Sequence, residues 1–186
     1  MTAFTTINPA TETELVGYDL MSADAAFDKI ETCHAAFLDW RTKSHAERAP
    51  YLRKIAEILR LMTEETGKLL RDGKTEVELC AQIFEYTAEQ GPDVLADEDR
   101  QHGPDGKRGT VAYCPIGVIY SVQPWNFPVY QPTRVLASNL MAGNGVILKH
   151  ASICTGSGLM LRDICVEAGL PEGLFDVVII DHDTSA

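Results

Sequence analysis

The sequence holds one short block in which residue types and spacing could do chemistry, Gln123-Pro124-Trp125-Asn126-Phe127-Pro128. Proline has no N–H to donate and pushes the residue before it to extended backbone, so two prolines around Trp-Asn-Phe favour a non-helical turn. Asn126 would be held stiffly at the centre of that turn. Its side-chain N–H₂ would suit the stabilisation of an oxyanion if the turn sits at a strand end. On spacing alone, an aromatic turn packed on a sheet accounts for the same block without chemistry. A second polar group, Lys149-His150-Ala151-Ser152, follows the apolar run 145–148 and is the other place where function is expected.

Other chemistries are poorly served. The five cysteines (Cys33, Cys80, Cys114, Cys154, Cys165) are an odd number at irregular spacing without a Cys-x-x-Cys pair. That speaks against a disulfide framework or a zinc site and fits a reducing cytoplasm. His34 and His45 have no partner at ligand spacing, so no metal site is expected. No G-x-G-x-x-G follows a strand, and there is no P-loop or nucleophile elbow. Gly143-Asn144-Gly145 reads as a tight turn, and Gly156-Ser157-Gly158 falls within a helical pattern.

The elements that must position these residues change character along the chain, and the first half reads as helices. After a cap at Ser22, the residues Ala26, Ile30, Cys33, Phe37 and Trp40 form one apolar stripe at spacings of four and three. Ser44 and Glu47 form a capping box for a helix through Leu52, Ile55, Leu59 and Met62, with its regular part starting at Pro50. A short segment from Thr63 ends near Gly73. Thr75 and Glu78 form a second box, ahead of Val77, Cys80, Phe84 and Ala88 on one face and a stop at Gly91-Pro92.

A turn-rich stretch, 101–109, then leads into Thr110-Val111-Ala112-Tyr113. Three apolar, β-branched runs at 117–122, 145–148 and 175–180 alternate with helix-length segments near 129–141 and 153–168, the second ending at Gly169-Leu170-Pro171. Strand, helix, strand, helix, strand implies an α/β fold with a parallel sheet. Such sheets bind ligands beyond the carboxyl ends of their strands, where both polar blocks fall. The expected division is a helical part at 1–97, a hairpin-like bridging segment at 98–115, and the first β-α-β-α-β of a Rossmann-like domain at 116–186.

At 186 residues, 45% hydrophobic and 23% charged, the composition is that of a globular protein. No run approaches the ~20 apolar residues of a membrane span, and the amino terminus lacks the pattern of a secretory signal. A cytoplasmic protein with no membrane partner is expected. The net charge of -11 makes a nucleic-acid partner unlike this chain. Residues 106–162 contain no Asp or Glu but carry Lys107, Arg108, Arg134, Lys149 and Arg162. That window could face a small anionic ligand, or could be a sheet segment buried without acids.

Four blocks in order, Pro115-Ile116-Gly117-Val118-Ile119, Pro124-Trp125-Asn126-Phe127-Pro128, Ala142-Gly143-Asn144-Gly145-Val146-Ile147-Leu148-Lys149 and Ala168-Gly169-Leu170-Pro171-Glu172-Gly173, resemble the aldehyde dehydrogenase superfamily. Ile7-Asn8-Pro9-Ala10-Thr11, Trp40-Arg41, Glu47-Arg48 and Glu65-Thr66-Gly67-Lys68 are similar to the family's opening segment, so the resemblance runs along the whole chain. It implies that the Asn126 amide stabilises the oxyanion of a thiohemiacetal, that Pro124 and Trp125 contact the cofactor, and that Lys149 binds the adenosine ribose or its 2′-phosphate. Where NAD-preferring members often carry Glu, this chain has Ser152. Without that carboxylate, Lys149 faces a 2′-phosphate unopposed, so NADP is favoured over NAD.

His150 stands where proline is common, and Leu-Lys-His-Ala is similar to a bacterial subgroup of succinate-semialdehyde dehydrogenases. Arg134 corresponds to an arginine that holds the substrate carboxylate in semialdehyde-acid members, a task suited to a guanidinium fork; a solvated helix arginine is the other reading. The resemblance also implies that the cysteine nucleophile and the glutamate base lie beyond residue 186, so that the sheet is truncated and the chain is inactive alone. A homo-oligomer is expected of the full-length form. The alternative is a non-catalytic product that binds nucleotide or assembles with full-length subunits. An unpaired strand edge should favour association.

Overall fold

The computed structural model describes residues 3–8, 11–66, 71–100 and 109–185. The first helix, α1 (Ala23–Trp40), starts where the Ser22 hydroxyl accepts a hydrogen bond from the Ala25 amide at 3.1 Å, an N-cap. Ala26, Cys33, Phe37 and Trp40 are buried as the stripe requires, while Ile30 lies at its margin and stays 37% exposed beside Phe27.

Helix α2 (His45–Thr66) opens on the expected capping box: the Ser44 amide donates to Glu47 Oε2 at 2.7 Å, and the Glu47 amide to Ser44 Oγ at 3.3 Å. Its regular part begins before Pro50, not at it. The proline lies on the exposed side of the helix, where a missing backbone bond costs least, and Leu52, Ile55 and Leu59 behind it are fully buried.

Helix α3 (Arg71–Val94) departs twice from its expected limits. Thr75 and Glu78 lie inside the helix, so the second capping box is no terminus. Gly91 and Pro92 also lie inside it. Gly91 is there for packing: a Cβ on it would come within 2.5 Å of Met141 Cγ. Of the motifs noted above, Pro9-Ala10, Gly67-Lys68 and residues 101–108 with Lys107 and Arg108 lie outside the described residues.

The first half also contains strands that a helical reading does not include. β1 (Ala3–Ile7) and β2 (Glu14–Asp19) pair antiparallel, closed by the Asn8 amide on the Thr13 carbonyl at 2.9 Å. β2 is mostly exposed, so it lacks the buried-exposed alternation by which a strand is recognised. Further on, β3 (Glu98–Arg100) pairs antiparallel with β4 (Gly109–Val111).

The principal sheet is parallel, in the order β5 (Val118–Gln123), β6 (Gly145–His150), β7 (Phe175–Val177). Helix α4 (Tyr130–Ala142) joins the first two strands, and a 3-10 turn at Ser152–Cys154 with α5 (Thr155–Glu167) joins the last two. β7 stops short of the apolar run that continues to Ile180, because the Ile179 carbonyl accepts from the Met21 amide at 2.7 Å instead of staying in the ladder. A four-residue helix, α6 (His182–Ser185), follows.

β6 is buried along its whole length and sorts its side chains by parity. Val146 and Leu148 join the larger core, with α2, α3, α4 and α5. Ile147 faces the other way, onto Ala26 and Cys33 of α1 together with Val178 and Ile180. The mixed α/β architecture with a parallel sheet is therefore as expected. Among the described residues, no helix is long and apolar enough to cross a membrane.

Candidate functional site

β5 and β6 end side by side, with Gln123 opposite His150 as their last pair. The two polar blocks thus emerge next to each other at the carboxyl edge of the sheet. The 124–128 turn is anchored on both sides. On one, Glu76 of α3 reaches across, and its Oε1 accepts from the amides of Val129 and Tyr130, each at 2.8 Å. This carboxylate satisfies amides at the start of α4 that have no partner within the helix.

On the other side His150, only 4% exposed, brings Nε2 to 2.8 Å from the Pro128 carbonyl oxygen. A carbonyl can only accept, so Nε2 carries the proton. Nδ1 then accepts from the Ala151 amide at 2.9 Å. Burial lowers the His150 pKa below the ordinary histidine value and so favours the neutral ring, against the opposing pull of the Pro128 and Gln123 carbonyls. The Ala151 amide also donates to the Gln123 carbonyl at 3.1 Å.

Within the turn, Pro124 and Asn126 are exposed and Trp125 is 64% exposed. A buried aromatic plug is therefore not what the block forms. Phe127 alone stacks, edge-on against Tyr130 with ring centroids 5.9 Å apart. The Arg134 guanidinium lies over the same Tyr130 ring, 5.5 Å from its centroid. Phe127, Tyr130 and Arg134 thus form one continuous stack from the turn onto α4, with the Arg134 fork exposed at its end.

Lys149 points away from His150, as neighbours on a strand must. It is 6% exposed and lines a cleft of about 420 Å³ with Phe4, Thr6 and Ile7 of β1, Ser152, Ile153 and Asp181. No hydrogen bond or ion pair engages its ammonium among the described residues. A buried lysine without a counter-ion is unusual and suits an anion entering the cleft. Ser152 is exposed in the same cleft. The carboxylate there, Asp181, accepts from the Thr184 amide at 2.8 Å, and that bond holds its pKa below the ordinary range.

None of the buried thiols is prepared for nucleophilic attack, which needs the thiolate. Burial pushes Cys33 up to about 12 and Cys80 to about 11, and also raises Cys154 and Cys165. Cys154 directs its Sγ at the Trp125 carbonyl, 3.7 Å away, and so ties the two loops once more. No group of three His, Cys, Asp or Glu among the described residues could hold a metal ion.

All six candidate residues therefore fall at the carboxyl side of the sheet or at the start of α4. Three contributors were not among them: the β1 wall of the cleft, Glu76 and His150. Glu76 is 53 residues from the amide it holds, so no local pattern betrays it. The sequence does show a polar residue at position 150 directly after the apolar run 145–148 and Lys149, a signal for a satisfied buried group at the strand's end.

Comparison with known proteins gives the chain its relatives. The model of the aldehyde dehydrogenase family matches residues 1–186. The NADP(+) succinate-semialdehyde dehydrogenase of Mycobacterium avium is 40% identical over 186 residues, covering 94% of this chain and 39% of that protein. Its counterpart from Deinococcus radiodurans is 36% identical over 180 residues, covering 92% of this chain and 37% of that protein. The crystal structure of succinic semialdehyde dehydrogenase from Streptococcus pyogenes, in complex with NADP+, superposes with a TM-score of 0.87 at 34% identity. It is matched over 98% of this chain and 42% of its own. The chain spans about two fifths of the length of the relatives it matches.

Proposed function

The chain belongs to the aldehyde dehydrogenase family, and from that premise we propose that it forms the nucleotide-binding and oxyanion-stabilising part of an enzyme oxidising succinate semialdehyde, or a similar aldehyde, to the acid. The favoured cofactor is NADP, with NAD as the second choice. The observation that carries this reading is Lys149, buried without a counter-ion in a cleft where the neighbouring position is Ser152 and not an acid. Asp181 lines the same cleft but forms no ion pair with Lys149 among the described residues, so a 2′-phosphate would give the ammonium its partner, and a carboxylate at 152 would repel that phosphate. Held there, a nicotinamide nucleotide would supply the hydride acceptor for the oxidation.

The rest is done by the chain's own groups. Pro124 and Trp125 form an exposed wall for the cofactor. Asn126 presents an amide with no hydrogen-bond partner among the described residues, free to donate to an oxyanion. Arg134, braced on Tyr130, offers two parallel N–H groups to a substrate carboxylate. In this reading a nucleophile and a general base would come from outside these 186 residues, in keeping with the four buried thiols that burial holds protonated; the fifth, Cys114, is exposed. The same thiols favour a second reading, in which this chain alone binds nucleotide or assembles with longer subunits and turns nothing over. Free cysteines fit the cytoplasm as its location.

Calorimetric titration with NADP and NAD tests the cofactor. Tighter binding of NADP is the expected result, and tighter binding of NAD, or of neither, would sink it. In an assembly that turns over, kcat/KM for succinate semialdehyde should exceed that for butanal. A marked preference for butanal removes Arg134 from the substrate site.

A further inference from the structure

Resting on that reading, we infer that His150 is a positioning residue: its imidazole straps the 124–128 turn to the end of β6 and so fixes the backbone that carries Trp125 and Asn126. The ring spends both nitrogens on the two loops. Nε2–H donates to the Pro128 carbonyl, the last residue of the turn, and Nδ1 accepts from the Ala151 amide, the first residue after β6. The Ala151 bond is local and orients the ring, while the Pro128 bond crosses 22 residues of chain, a reach that a histidine kept only for packing would not need.

Helix α5 passes close to the ring at Gly158, where a Cβ would stand 3.3 Å from Leu148 Cδ2 and 3.4 Å from His150 Cδ2. Pro128 is followed at once by Val129 and Tyr130, whose amides Glu76 holds. The turn is therefore clamped at its carboxyl end by both an imidazole and a carboxylate. Its aromatic and amide side chains are left exposed on a fixed backbone. A fixed backbone matters because a ligand group meeting a mobile turn must first order it, which weakens binding.

The test uses the whole chain with 5-fluorotryptophan, which gives one ¹⁹F resonance from buried Trp40 and one from exposed Trp125. In His150→Phe the Trp125 resonance should narrow and move toward that of the unfolded chain while Trp40 stays put. NADP affinity should fall about tenfold, and His150→Gln, whose amide can still donate to Pro128, should recover most of both. An unmoved Trp125 resonance in a folded His150→Phe overturns the strap, whether or not NADP affinity falls. If that variant does not fold, the imidazole of the unmodified protein decides. Long-range ¹H–¹⁵N spectra should show His150 as the Nε2–H tautomer, and an Nδ1–H tautomer overturns the inference. Should the unmodified chain bind no NADP, the cofactor reading fails, and the Trp125 resonance still judges the strap.

Discussion

The guanidinium of Arg48 fills the space that a side chain on Gly143 would need: a Cβ there would lie 2.5 Å from Arg48 Nη2. Arg48 is 2% exposed and donates to the carbonyls of Met141 at 2.8 Å and Arg41 at 3.1 Å, so one side chain closes the carboxyl ends of both α4 and α1. Gly143 itself has a φ of 96°, a left-handed conformation that leads the chain from α4 into β6. Gly143→Ala should therefore cost more than the ~1 kcal/mol of backbone strain alone, about 2–4 kcal/mol with the displaced arginine. Urea unfolding checks it, and a loss under 1 kcal/mol would mean that Arg48 moves aside freely.

Lys149→Met should weaken NADP binding by about tenfold or more while changing NAD binding little, because only the former brings a charge for the ammonium to meet. Raising salt should narrow the difference between the two nucleotides in the unmodified chain. Equal losses for both would place the ammonium on a shared part of the nucleotide.

The buried thiols give a pH dependence of known sign. Their pKa values in the fold lie above the ordinary 9.0, at about 11 for Cys80 and about 12 for Cys33. A thiol that stays protonated in the fold but ionises in the unfolded chain contributes stability below pH 9, which is lost as pH rises toward 11 and 12. The urea midpoint should fall across that range, and more shallowly in a Cys33→Ala, Cys80→Ala variant. Identical slopes would show that other groups carry the loss.

Along β5, Tyr120 is 44% and Val122 58% exposed, and among the described residues its only ladder partner is β6. Such an edge can template pairing with another chain. Sedimentation should reveal self-association that grows with concentration and that Val122→Lys suppresses. A chain that stays monomeric at high concentration would show the edge to be protected.

What could be read from the sequence was what local chemistry controls. Ser44 and Glu47 sit three residues apart and bond each other in the fold, so their spacing is sufficient evidence of a helix start. Thr75 and Glu78 have the same spacing and are overruled, because α3 already runs from Arg71 and the pattern carries no knowledge of what precedes it. Gly91 failed as a stop signal because its missing side chain serves Met141, fifty residues on. The strand ends, and with them Asn126 and Lys149, were legible because β-branched runs mark them. The partners that fix them were not: Glu76, the Pro128 carbonyl under His150, and the β1 wall are long-range choices that only the packed molecule reveals.

The alternation of side chains along β6 has one more consequence. Lys149 and His150 are consecutive, yet one serves the cleft and the other the backbone strap, and Ser152 stands exposed just past them. If Lys149 meets the nucleotide as proposed, a substitution at the exposed position 152 would change the charge beside the ammonium while leaving the buried His150 and its bond to Pro128 untouched.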